Sequence, residues 1–150
     1  MVLYGHPHLH PPPGPATGPG HLAQEDIMPV AQYCLTAVDC PDPAALAGFY
    51  AALMGGEIKH DNDDWYDLYV PGGHRIAFQR APGYRPPQWP QAEDNSQQMH
   101  LDLTVTDMAD AEAQALSLGA MPLDLNDEDG KRGFRVYADP AGHPFCLCSA

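Results

Sequence analysis

A chain of 150 residues can bury one ordinary hydrophobic core. Twenty acidic against seven basic residues leave a net charge of −13, which argues against nucleic acid as a partner, because phosphate binding needs clustered Lys and Arg. The same balance suits a solubilising surface or a cationic small-molecule ligand. No apolar run approaches the ~20 residues of a membrane helix. The first basic residue is Lys59 and no apolar h-region precedes it, so no secretory signal is expected. A cytoplasmic chain with reduced thiols follows as the expectation. Cys34, Cys40, Cys146 and Cys148 show no C-x-x-C spacing, and buried cysteine acting as a small hydrophobe is the simplest reading.

Residues 1–27 read as a disordered arm. Positions 1–20, MVLYGHPHLHPPPGPATGPG, hold six Pro and four Gly, which suit polyproline and coil rather than helix or ladder. His6, His8 and His10 alternate there and either chelate a metal loosely or do nothing. Met28 offers an alternative start of translation.

From residue 30 the chain is patterned. A strand is expected over 35–40 (LTAVDC), then a helix capped by Asp42 with Pro43 at its first position. Leu46, Phe49, Tyr50 and Leu53 form its apolar stripe, and Gly55-Gly56 stop it. A short strand near 57–60 precedes a strand–turn–strand, WYDLYVPGGHRIAFQ, over 65–79. A stiff connection, 81–98, carries Tyr84 and Trp89, placed either to close a pocket or to pack on the sheet. The pattern then repeats. HLDLTV (100–105) is a strand, Asp107 and Asp110 open a helix with the stripe Met108, Ala111, Ala115 and Leu118, and Gly119 ends it. A short strand near 121–124 and the pair FRVYADPAGHPFCLC (134–148) complete the second copy. His74 and His143 hold matching turn positions and read as plain turn residues.

The chain is thus α+β: two tandem β-α-β-β-β modules, 30–80 and 99–150, in a single domain over 30–150. In HLDLTV the apolar Leu101, Leu103 and Val105 alternate with His100, Asp102 and Thr104, so one face meets helices and the other looks into something wetter. Cys146 and Cys148 share a face opposite Phe145 and Leu147. Such a mixed sheet, built twice, is expected to curl around a cavity lined by its polar faces.

VDCPDPAALAGFYAALMG, YRPPQWP and the DPAGH turn of FRVYADPAGHPFCLC resemble the vicinal oxygen chelate superfamily, which includes glyoxalase I, extradiol dioxygenases and bleomycin-resistance proteins, and within it the glyoxalase-like subgroup. The resemblance spans roughly 30–150 and implies a divalent metal held by four positions on the cup floor. Carried over, those positions are Leu35, Ala77, His100 and Cys146. Leu and Ala donate no electron pair, while a catalytic metal takes about three protein ligands. A two-residue shift offers Gln79 and Cys148 but leaves one position apolar. No catalytic metal is therefore expected, with His100 the one family-matching ligand.

Six residues make up the expected ligand-binding set: His100, Asp102, Gln79, Cys146, Cys148 and Trp89. His100 and Asp102 read either as a base with its carboxylate or as hydrogen-bonding lining. Cys146 as a nucleophile would need a neighbouring cation or base, which His100 could supply. The acidic runs HDNDDW and DLNDEDGKR fail the calcium-loop pattern and read as solvated loops. The leading expectation is binding of a small organic molecule, possibly cationic, by a homodimer in the bleomycin-resistance manner. A metal-dependent lyase, isomerase or dioxygenase is the alternative, and an orphan module without a ligand is the third.

Overall fold

The structure, a computed structural model, describes residues 30–90 and 95–150. The expectations for the arm, its histidines and Met28 concern positions outside the described residues. Ten elements follow in order: β1 (Thr36–Cys40), α1 (Pro43–Met54), β2 (Glu57–Asn62), β3 (Trp65–Val70) and β4 (His74–Arg80), then β5 (Leu101–Val105), α2 (Met108–Ser117), β6 (Met121–Asp124), β7 (Phe134–Ala138) and β8 (Pro144–Ser149). Each half is β-α-β-β-β. Among the described residues no helix is long and apolar enough to cross a membrane.

Local chemistry accounts for the helices. The Asp42 carboxylate accepts from Ala45 N at 3.1 Å and the Asp107 carboxylate from Asp110 N at 2.9 Å, satisfying amides that the first turn leaves unpaired. Gly55 ends α1 at φ 76°. Gly56, at φ 114°, lies where a Cβ would meet the carbonyl oxygen of Tyr69 at 2.4 Å, so only glycine lets the chain turn back under β3.

The strands form two four-stranded sheets, β1-β4-β3-β2 and β5-β8-β7-β6, each with one parallel pair (β1 with β4, β5 with β8) and two antiparallel ones. The mixed sheet built twice is as expected, and each copy is a sheet of its own with β1 or β5 at its edge. Side chains join the modules instead. Tyr50 of α1 stacks on Phe78 of β4 with centroids 5.5 Å apart and stands edge-on to Phe145 of β8 at 6.3 Å, while Phe49 meets the same Phe145 at 5.9 Å. One core results, with Leu46, Tyr50, Leu68, Phe78, Tyr137 and Phe145 at its centre. Each such side chain contributes about 1.5–3 kcal/mol by leaving water.

The connection docks on the β7–β8 turn. Pro86 lies so close to Gly142 that a Cβ there would stand 2.5 Å from it. The Tyr84 hydroxyl lies 2.9 Å from His143 Nε2. Of the two readings of this segment, packing onto the sheet describes Tyr84.

Candidate functional site

The face of each sheet turned away from the helices carries the chemistry. On module two, β5 and β8 run parallel with Asp102 beside Cys146 and Thr104 beside Cys148. Leu101, Leu103, Phe145 and Leu147 go the other way, into the core. The alternation in the sequence therefore sorts these side chains as expected.

His100 immediately precedes β5, and its Nε2 lies 3.3 Å from Asp102 Oδ1. With Cys146 Sγ these make a group of three donor atoms, all within 4.8 Å of one another. Phe134 and Val136 of β7 flank the thiols in register with Cys148 and Cys146.

Cys146 is 3% exposed. Burial first, then the Asp102 charge and a thiol–carboxylate hydrogen bond, push its pKa far above the ordinary thiol value. Cys148 moves the same way for the same first two reasons. A nucleophilic Cys146 would need its thiol pKa lowered, whereas burial and the Asp102 charge beside it act in the opposite direction. No two cysteines are bonded to each other.

On module one the corresponding face holds Arg75, Ala77 and Gln79 of β4 beside Tyr69, Asp67 and Trp65 of β3. Arg75 Nε stands 3.3 Å from Asp67 Oδ1, both atoms buried without a well-formed hydrogen bond, and Arg75 Nη1 donates to the Tyr69 hydroxyl at 3.3 Å. The Arg75 guanidinium and the Lys59 ammonium both lie over the Tyr69 ring, at 5.6 and 5.0 Å. Gln79 is exposed, opposite Asp39 and Trp65. Trp89 is half-buried, ahead of a cis Pro90. Three of the six expected binding residues, His100, Asp102 and Cys146, are brought together, with Cys148 alongside.

The four positions that the superfamily gives to a metal do not fit one. Ala77 is fully buried and Leu35 precedes β1 as a half-buried coil residue, and neither has a donor atom. What sequence reasoning missed is that Asp102 stands beside Cys146 across the β5–β8 ladder, which gives module two a third donor of its own.

A second polar cluster was also missed. Asp139 is fully buried. Its carboxylate accepts from the Tyr50 hydroxyl at 2.9 Å, from His143 Nδ1 at 2.9 Å, and from the backbone amides of Ala141 and His143 at 2.9 and 3.0 Å. His143 Nε2 lies 2.9 Å from both the Tyr84 hydroxyl and the carbonyl oxygen of Asp39. His143 is thus not the plain turn residue expected, whereas His74 opens β4 in the open. The signal was present in DPAGH and in the Tyr of the α1 stripe, but nothing in either string shows that they meet.

The acidic runs also differ from solvated loops. Residues 60–62 belong to β2. Arg132 holds Asp124 at 2.6 Å, and Arg135 bridges Asp127 at 2.6 Å and Glu112 at 3.0 Å. A cavity of about 40 Å³ at the start of α1, between Asp42, Leu46 and Ala141, has room for water only.

Solved structures share this architecture. A gene product from Arabidopsis thaliana is 16% identical, with 79% of this chain and 99% of that one covered and a TM-score of 0.61. The fosfomycin resistance protein FosX from Mesorhizobium loti is 10% identical over 79% and 91%, with a TM-score of 0.59. A glyoxalase-related enzyme from Fulvimarina pelagi is 18% identical over 79% and 88%, with a TM-score of 0.58. At these identities the likeness is one of fold. No curated protein matches the sequence. The family model of the glyoxalase-like domain matches residues 36–148, the whole of both modules from β1 to β8. The chain therefore belongs to the glyoxalase-like domain family of the vicinal oxygen chelate fold.

Proposed function

We propose that this protein binds a small organic molecule between the polar faces of its two modules, without the four-cornered metal chemistry of its enzymatic relatives. The observation that carries this reading is the pair of aliphatic corners, Leu35 and a fully buried Ala77, on faces that otherwise keep stacking and hydrogen-bonding groups. Tyr69, Arg75 and Asp67 on one module and His100 and Asp102 on the other supply what an organic ligand needs: aromatic surface and convergent polar groups. Sequestration in the bleomycin-resistance manner is the corresponding role. The net charge of −13 favours a basic ligand. A homodimer in the cytoplasm belongs to the same proposal.

A thermal-shift screen of basic, neutral and acidic aromatic compounds tests it. At a ligand concentration of 100 Kd, stabilisation is about 2.7 kcal/mol, several degrees in a domain of this size. The expected result is a shift for at least one basic compound that is reduced in both Tyr69→Ala and Asp102→Asn. No shift with any compound, or a shift insensitive to both substitutions, overturns the reading.

A further inference from the structure

We infer that His143 is a proton-operated clasp at the junction of the two modules, joining the β7–β8 turn to β1 when its ring is charged and to the connection when it is neutral. The inference goes beyond the organic ligand proposed above and rests on none of the side chains assigned to it.

The hydrogen-bond inventory of the ring is the first argument. Nδ1 lies 3.1 and 2.9 Å from the two oxygens of the fully buried Asp139 carboxylate. Nε2 lies 2.9 Å from the Asp39 carbonyl oxygen and 2.9 Å from the Tyr84 hydroxyl. A carboxylate and a carbonyl accept and do not donate, so the ring satisfies both only with a hydrogen on each nitrogen. That form is the imidazolium, and its Nε2–H ties the turn of module two to β1 of module one. Loss of that hydrogen leaves a nitrogen lone pair facing a carbonyl lone pair at 2.9 Å. The Tyr84 hydroxyl then becomes the donor to Nε2, and the ring holds the connection instead of β1.

The surroundings are the second argument, because they make the ring the group that changes. Facing it are Asp139 from its own turn, Tyr50 of α1 across the same carboxylate, Tyr84 of the connection, and the Asp39 carboxylate and Cys40 thiol of β1. Asp42 and Arg80 lie beyond Cys40. Burial first, then the Asp139 charge, holds the Tyr84 hydroxyl above its usual pKa, so it keeps the hydrogen that the neutral ring needs. Burial likewise raises the Cys40 thiol to about 11. His143 keeps 18% of its side chain in solvent against 0% for Asp139, so protons enter and leave through the ring.

The test is a titration of the full chain from about pH 5 to 9, which brackets the ordinary imidazole value of about 6.5. It is followed by NMR of the His143 ring nitrogens and of the Asp39 carbonyl carbon, the ring signals being assigned by their loss in His143→Gln. The expected result is that Nε2 passes from a protonated to a lone-pair shift while Nδ1 stays protonated. The Asp39 carbonyl shift changes with the same midpoint, and His143→Gln abolishes that change. Tyr84→Phe removes a donor that only the neutral ring uses, so the midpoint moves to higher pH. The titration of the unaltered chain and of Tyr84→Phe keeps the test sound should His143→Gln fold poorly. A ring whose protonation does not change, an Asp39 carbonyl that does not follow it or still titrates in His143→Gln, or a midpoint not raised in Tyr84→Phe overturns the inference.

Discussion

At the scale of single residues, the fold concentrates its polar commitment in Asp139. A carboxylate removed from water is tolerable only when its lone pairs are met, and four donors meet these. Tyr50→Phe removes one charge-assisted hydrogen bond while keeping the ring stack, and is expected to lower stability by about 1.5–3 kcal/mol in urea unfolding. The same substitution should change the alkaline limb. Burial and the Asp139 charge hold the Tyr50 hydroxyl well above its usual pKa, and burial raises the Cys40 thiol to about 11. Because both folded values exceed the unfolded ones, the unfolded chain releases protons first and stability falls as pH rises past about 9–10. In Tyr50→Phe that fall should be shallower between pH 9 and 11 (roughly the span between those values). Thiol accessibility gives a separate check. Iodoacetamide at pH 8 should modify the exposed Cys34 first, with the buried Cys40 and Cys146 last, as read by peptide mass spectrometry. Rapid modification of Cys146 would contradict a thiol whose pKa is raised by burial and the Asp102 charge.

At the scale of elements, both helices were legible because their signals are local: an acidic cap, an apolar stripe of period 3.6 and a glycine stop. The strand β5 was legible for the same reason, as Leu101, Leu103 and Val105 alternate with polar residues. By contrast β2, EIKHDN, is exposed along its whole length. An edge strand whose ladder shifts register between His60 and Asn62 has no buried face to imprint a period of two. Two glycines show where elements press together. Gly56→Ala should cost about 2–3 kcal/mol, since it combines a left-handed φ with a collision against backbone. Gly142→Ala drives a methyl into Pro86 at 2.5 Å, at φ 92°. It should loosen the connection, read as faster amide exchange around Tyr84.

At the scale of the whole molecule, acidic and alkaline limits act on different parts of the structure. Glu112 is held below its usual range first by the Tyr137 hydroxyl and then by Arg135, Asp124 by Arg132, and Asp127 by Arg135. Their folded values lie below the unfolded ones, so this stabilisation is present above the ordinary carboxylate range and is lost as pH falls through it. Melting temperature plotted against pH should therefore form a plateau that drops on both sides. Arg135→Ala should remove part of the acidic drop and leave the alkaline one, because Asp127 and Glu112 then lose the same guanidinium.

The sequence by itself determined the two modules, the apolar faces of the helices and the sharing of a face by Cys146 and Cys148, because each rests on a periodicity or cap a few residues long. Tertiary structure alone decided that the sheets stay separate, that Tyr50 reaches Asp139 across 89 residues, and that Asp102 stands beside Cys146. Those facts depend on strand order and register, which join positions far apart in the chain, and no local pattern encodes which distant residue a side chain will face.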